Sequence, residues 1–251
     1  MIKASDVYTA IDKFAPFDTQ LGFDNAGLLI GDMNDDVSRI AIALDATADT
    51  ILAAHSCGCE LLVTHHPVIF GGLKNISSVD PAYHALKLGV SVISAHTNLD
   101  SANGGVNDCL CDVIGINGVS PLSNGEDNVP LARIGNIDAV PVMSLVSDIK
   151  KKLSCGCIKL TASNNIINKV AVCGGAGGDY ILAAKSAGVD ALVTGECKHH
   201  ERLLAKQLGI SLLECGHFCT EQLIKVKLRE ILLPVCDNIV IIDECDTATY
   251  I

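Results

Sequence analysis

Short apolar runs bounded by polar, glycine-containing turns recur along the chain. Ile40-Ala41-Ile42-Ala43, Glu60-Leu61-Leu62-Val63, Val90-Ser91-Val92-Ile93, Val170-Ala171-Val172-Cys173, Leu192-Val193-Thr194 and Ser211-Leu212-Leu213 read as buried strands. Amphipathic stretches such as Asp49-Thr50-Ile51-Leu52-Ala53-Ala54 alternate with them and read as helices. Ser5, followed by Val7-Tyr8-Thr9-Ala10-Ile11, predicts a capped first helix.

The pattern repeats. Ile40–Ala43 aligns with Val170–Cys173, Asp49–Ala54 with Asp179–Ala184, Ser56-Cys57-Gly58 with Ser186-Ala187-Gly188, and Leu62-Val63-Thr64 with Leu192-Val193-Thr194, all at an offset of 130 residues. About half of the positions from 40 to 64 are identical to their counterparts, without a gap. Each copy is strand, helix, turn, strand, a parallel unit with a right-handed crossover. A third strand follows at an offset near 120, where Leu88-Gly89-Val90-Ser91-Val92-Ile93 matches Leu208-Gly209-Ile210-Ser211-Leu212-Leu213. The expected fold is therefore α/β, with two related halves, each a mostly parallel sheet with flanking helices, and a metal site between them. The halves are expected at residues 1–125 and 126–251, or interlocked as one unit, and the segment 118–138, rich in Asn, Gly, Pro and Asp, reads as the connector.

Open parallel sheets bind ligands beyond the carboxyl ends of their strands, and the histidines and carboxylates gather there. His65 and His66 follow the strand ending at Val63, with Pro67 stopping the ladder. His96 and Asp100 follow Ile93, and His217 and Glu221 follow Leu213 with the same spacing of four. Adjacent histidines leave a strand end in different directions, so His65 and His66 can reach different ions, and Asp100 or Glu221 can bridge them. Imidazole with carboxylate suits Zn, Fe, Mn or Co. Taken singly, each histidine is also compatible with an ordinary core or surface role. Cys197, Cys215 and Cys219 flank the cluster and leave a thiolate zinc site open, but Cys215 and Cys219 have no counterparts in the first half. The Gly174–Gly178 run fits either a tight strand–helix turn or a phosphate cradle, and it lacks the Lys-Ser/Thr of a P-loop. Gly195-Glu196-Cys197-Lys198-His199-His200 is either a helix start or a set of proton-transfer groups.

Composition narrows the function. The chain has 251 residues and a formal charge of −11, without a basic run. It lacks the cationic footprint that nucleic acid or acidic lipid requires. No apolar stretch reaches the roughly 18 residues of a membrane span, and the opening Met1-Ile2-Lys3-Ala4-Ser5-Asp6 has no features of a signal or transit peptide. A cytoplasmic protein with reduced thiols is expected. Its twelve cysteines include three C-x-C pairs rather than the C-x-x-C of zinc ribbons, and they read as small buried hydrophobes.

The motifs taken together resemble one family. Phe23-Asp24-Asn25-Ala26-Gly27-Leu28, Thr64-His65-His66-Pro67-Val68-Ile69-Phe70, His96-Thr97-Asn98-Leu99-Asp100, Gly104-Gly105-Val106-Asn107-Asp108, Cys173-Gly174-Gly175-Ala176-Gly177, Thr194-Gly195-Glu196 with His199-His200, and Gly216-His217-Phe218-Cys219-Thr220-Glu221 are similar to those of the GTP cyclohydrolase 1 type 2 homologues. These are also called Ngg-interacting-factor-three-like dinuclear metal-centre proteins. The resemblance spans nearly the whole chain. It implies two divalent ions per chain held by His65, His66, Asp100, His217 and Glu221, and a ring-shaped homohexamer whose sites face a cavity. It places His96 behind the ligands, orienting Asp100 or a water. Phe23 departs from the family's usual Trp at the rim of the site, and the inserted middle domain of longer members is not expected. The implied activity is metal-dependent hydrolysis of a nucleotide-like small molecule, such as GTP ring opening, with Glu196, His199 or His200 moving protons. The competing class is a non-enzymatic metal-dependent scaffold, metal carrier or regulatory protein.

Overall fold

The structure, a computed structural model, describes residues 1–125 and 129–247. In chain order the elements are β1 (Ile2–Lys3), α1 (Ala4–Phe14), β2 (Gly27–Ile30), β3 (Asp36–Val37), β4 (Ile40–Ala43), α2 (Ala48–Ser56), β5 (Leu61–Thr64), α3 (Pro81–Leu88), β6 (Ser91–Ser94), α4 (Thr97–Ser101) and α5 (Val106–Ile114). They continue with β7 (Asn117–Leu122), β8 (Ala132–Pro141), α6 (Val142–Lys152), β9 (Lys159–Thr161), β10 (Ile166–Cys173), α7 (Ile181–Ser186), β11 (Ala191–Thr194) and α8 (His199–Leu208). The last are β12 (Ser211–Glu214), α9 (His217–Glu221), α10 (Ile224–Leu232) and β13 (Ile239–Ile241). No helix among the described residues is long and apolar enough to cross a membrane.

Two compact units divide the chain. Unit 1 comprises Met1–Ala102 and Ile224–Cys245, and unit 2, among the described residues, comprises 103–223 with Asp246 and Thr247. The division differs from the one expected at 125/126. Sequence similarity pairs repeated elements but is silent about a strand added outside the repeat, and here β13 returns to the first sheet. The α/β class and the two related halves are as expected: β4-α2-β5-α3-β6-α4 in unit 1 matches β10-α7-β11-α8-β12-α9 in unit 2.

In unit 1 the strand order is β13-β4-β5-β6-β2. β13, β4, β5 and β6 run parallel, and β2 closes one edge antiparallel. All four residues of β4, of β5 and of β6 are buried, because helices cover both faces of a parallel sheet. Ile51 and Ala54 of α2 and Ala82 and Ala85 of α3 cover Ala41, Leu62 and Val92, while α1 packs on α10, which lies over β4 and β13. Burying each large side chain fully contributes roughly 1.5–3 kcal/mol. α1 begins one residue before the expected cap: the Lys3 N–H donates to Asp6 Oδ2 at 2.8 Å, so Lys3 caps and Ser5 lies inside the helix.

Unit 2 has the order β7-β8-β10-β11-β12-β9. Only its centre, β10-β11-β12, is parallel. β8, β7 and β9 add antiparallel, so this sheet is mixed where a mostly parallel one was expected. Val170, Val172 and Val193 face α5 and α6, and Ala171, Cys173 and Leu192 face α7 and α8. The expected connector at 118–138 is largely sheet, since β7 and β8 pair as an antiparallel ribbon; residues 126–128 lie outside the described residues. Gly118 and Pro121 belong to an exposed edge strand, where proline is tolerated. Arg133, at 2% exposure, is the one basic residue of β8, and its Nε donates to Asp108 Oδ1 at 2.7 Å.

Candidate metal-binding groups

In unit 1 the carboxyl ends of β4, β5 and β6 bring His65, His66 and His96 together. A ligand nitrogen from each lies within 4.8 Å of the others, and ring centroids are separated by 4.9, 5.2 and 5.6 Å. Each imidazole is oriented from behind. His65, fully buried, directs Nδ1 to the Ala95 carbonyl at 2.8 Å, and a carbonyl only accepts, so Nδ1 carries the proton and Nε2 the lone pair. His66 Nδ1 meets Asp45 Oδ1 at 2.7 Å, and His96 Nδ1 meets Asp24 Oδ1 at 2.8 Å. The Leu44 carbonyl accepts from the backbone N–H of both His65 (3.2 Å) and His66 (3.0 Å), tying the pair to the end of β4. Asp100, on the short α4, sets Oδ1 3.6 Å from His65 Nε2.

Burial works to raise the Asp24 carboxyl, but hydrogen bonds from His96 and Thr97 outweigh it and hold the pKa down to about 2. Thr97 contributes both its hydroxyl and its backbone N–H. Asp24 therefore remains a carboxylate that fixes His96. A ring nitrogen of His96 lies within 4.8 Å of ligand nitrogens of His65 and His66, and its Nδ1 meets Asp24. Beside it Phe70 lies edge-on at 6.2 Å and Phe23 a further 6.3 Å away. Both phenyl rings are more than 60% exposed, an aromatic rim open to solvent.

In unit 2 the same strand ends carry a smaller group. His217 opens α9, and the four-residue spacing puts Glu221 on the same helix face. Its Nε2 lies 3.0 Å from Glu221 Oε2, and its Nδ1 lies 3.0 Å from Glu196 Oε1. Glu196, expected as a proton-transfer group, thus holds an imidazole, as Asp24 and Asp45 do. His199 and His200 open α8 and are exposed; His200 Nε2 lies 3.9 Å from Glu201.

The glycine run is a tight turn. The N–H groups of Gly174, Gly175 and Gly177 donate to Asn107 Oδ1, Thr220 Oγ1 and Thr194 Oγ1, so these three do not cradle a phosphate. Gly175, at φ +60°, passes so close to His217 and Glu221 that a Cβ would lie 2.4 Å from Glu221 Oε1 and 3.1 Å from His217 Nε2.

The twelve cysteines are unbridged, and Cys155, Cys215 and Cys219 lie in the apolar core under α5 and α6. Burial pushes the Cys197 thiol up to about 12. Cys219 is raised by its hydrogen bond with Cys155 and by burial. Cys155, Cys215 and Cys219 are packed among apolar side chains, where cysteine behaves as a small hydrophobe. Cys215→Ala and Cys219→Ser are expected to keep near-full metal occupancy by elemental analysis; loss of one equivalent from either would restore the thiolate site.

Asp24, Asp45 and the Leu44 carbonyl carry much of this geometry, and of these only Asp24 lay in a motif singled out from sequence. Position 45 did hold a signal, since it corresponds in the repeat to Gly175.

A two-unit α/β chain with imidazole and carboxylate groups at repeated strand ends defines a class of candidate metal-binding proteins. The chain belongs to the Duf34/NIF3 (NGG1p interacting factor 3) family, whose model matches residues 2–244. It is 31% identical over 237 residues, 91% of this chain and 90% of the relative, to a GTP cyclohydrolase 1 type 2 homolog of Clostridium perfringens. Among solved structures, the hypothetical protein SA1388 of Staphylococcus aureus superposes with a TM-score of 0.89 at 26% identity, covering 99% of both chains. Reduced HcgD from Methanocaldococcus jannaschii superposes with a TM-score of 0.85 at 27% identity, covering 97% of this chain and 98% of that one.

Proposed function

We propose that the protein binds two divalent ions per chain, drawn from Zn, Fe, Mn or Co, and hydrolyses a nucleotide-like small molecule. The ligands are His65, His66 and Asp100 of unit 1 and His217 and Glu221 of unit 2. One observation carries the reading: in His65, His66 and His217, all at strand ends, Nδ1 meets an oxygen acceptor, the arrangement found behind metal-binding imidazoles, and Nε2 of His65 and of His217 faces a carboxylate, Asp100 and Glu221 respectively. The donor set of imidazole and carboxylate fits these borderline cations. When bound, the ions would polarise the electrophile and activate water.

The chain's own residues supply orientation. Asp24, Asp45 and Glu196 fix the imidazoles. The Phe23–Phe70 rim offers a face for a planar ring, where aromatic contact is worth about 0.5–1.5 kcal/mol beyond area burial. His199, His200 and His96 are the candidates for moving protons. Leu73, Ile76 and Val79 are exposed apolar residues on one loop, as subunit contacts would be, and the family resemblance supports assembly as a homohexamer.

The test is a nucleotide panel incubated with metal-loaded protein, alongside His66→Ala. Consumption of one member by the parent protein, lost in the variant while light scattering still gives six subunits, supports the reading. A parent protein that binds metal yet consumes nothing makes this a metal carrier or scaffold.

A further inference from the structure

We infer that Glu244, neutralised by Lys225, is the positioning residue that sets the His65-His66 pair from about 180 residues away. The inference rests on reading those histidines as metal ligands. Three hydrogen bonds converge on the Glu244 carboxylate. Oε2 accepts from the Leu44 N–H at 2.7 Å and from Lys225 Nζ at 3.1 Å, and Oε1 accepts from the Asp45 N–H at 3.1 Å. The Lys225 and Glu244 side chains are only 9% and 8% exposed. A charged pair withdrawn from water this far is costly unless its hydrogen bonds are made, and here they are made to one particular peptide.

That peptide is where both histidines are attached. The Leu44 carbonyl accepts from the His65 and His66 N–H groups, and the Asp45 side chain holds the His66 ring through Nδ1. Glu244 thus grips the N–H side of Leu44 and Asp45, while the histidines hang from the carbonyl and carboxylate of the same two residues. Its own placement is dictated by β13, which pairs parallel with β4 at Ile239–Ile241, and by the Ile242 N–H donating to the Ile42 carbonyl at 2.8 Å. The chain then reaches the carboxyl end of β4 in register for Glu244 to cap it. Lys225 approaches from the first turn of α10. Neither residue belongs to the repeat.

A merely structural role would make Glu244 a latch for β13 and nothing more. Glu244→Gln and Ile242→Ala separate the two, since the second removes a buried side chain just beyond β13 and leaves the carboxylate. Both variants are compared with the parent protein by thermal midpoint, by Co²⁺ titration followed by absorption, and by His66 ring ¹⁵N shifts in metal-free protein. Glu244→Gln is expected to weaken Co²⁺ binding by roughly 10–100-fold, the range for lost support behind a ligand, and to shift the His66 ring resonances. Ile242→Ala is expected to lower the midpoint without either effect. Should Glu244→Gln not fold, Lys225→Met leaves the carboxylate without its cation and is expected to act in the same direction. Unchanged affinity and unchanged His66 resonances in the carboxylate and lysine variants overturn the inference, as does a loss of affinity in Ile242→Ala matching that of Glu244→Gln. If the parent protein itself binds no Co²⁺, the metal reading fails, while the His66 resonances still decide whether Glu244 positions the ring.

Discussion

Asp100→Ala is expected to purify with a sharply reduced metal content against two ions per chain in the parent protein. The side chain is buried to 8% exposure and its Oδ1 faces His65 Nε2 at 3.6 Å. It is the carboxylate of unit 1 that stands opposite an imidazole Nε2, whereas Asp24 and Asp45 are spent on Nδ1 atoms. Groups behind a ligand typically cost 10–100-fold in affinity when removed, so loss of a ligand is expected to exceed about 100-fold. Elemental analysis of freshly purified protein reads the result directly. Wild-type metal content in this variant would place the binding site elsewhere. Circular dichroism of the same preparation separates loss of metal from loss of fold.

The largest effect on stability is expected from Gly195→Ala. A Cβ there would lie 2.5 Å from the Gly175 carbonyl oxygen and 2.8 Å from His217 Cα, backbone on both sides. Neither neighbour is a flexible side-chain end, so α9 or the Gly175 turn must move. Overpacking of this kind costs about 1–3 kcal/mol, more where backbone is displaced. At about 3 kcal/mol, the thermal midpoint of a chain this long falls by roughly 6–12 °C. Gly188→Ala is the control: its φ is +71° but nothing lies within 4 Å of the added Cβ. It is expected to cost only the left-handed backbone strain of about 1–2 kcal/mol. Equal shifts in the two variants would show that the close approach of Gly175, Gly195 and α9 has no energetic weight.

The repeat made the centre of both sheets legible, because buried parallel strands leave continuous apolar runs and the crossover helices keep their length. It also made His96 and His217 legible as a pair, since each follows the third strand of its copy, while His65 and His66 were legible from their place just after a buried strand. What escaped was structure outside the repeat. β7 and β8 carry the Asn, Gly and Pro of an exposed ribbon and so imitate a connector. β13 is a run of three residues whose partner, β4, precedes it by about 199 positions. Hydrogen bonds such as His66 with Asp45, His96 with Asp24 and Leu44 with Glu244 span 21, 72 and 200 positions and have no period to betray them. The Gly195 position shows the opposite case: it is the repeat counterpart of His65, and the similarity itself hid that one copy keeps an imidazole where the other keeps bare backbone.

The return of Ile224–Cys245 to unit 1 also sets an order of events during translation. A ribosome completes the bulk of unit 2, Asn103–Leu223, before it makes the strand that finishes the sheet of unit 1. Until β13 emerges, β4 stands as an exposed, wholly apolar sheet edge, the kind that invites pairing with another chain. The earliest half of the polypeptide is therefore the last to be finished.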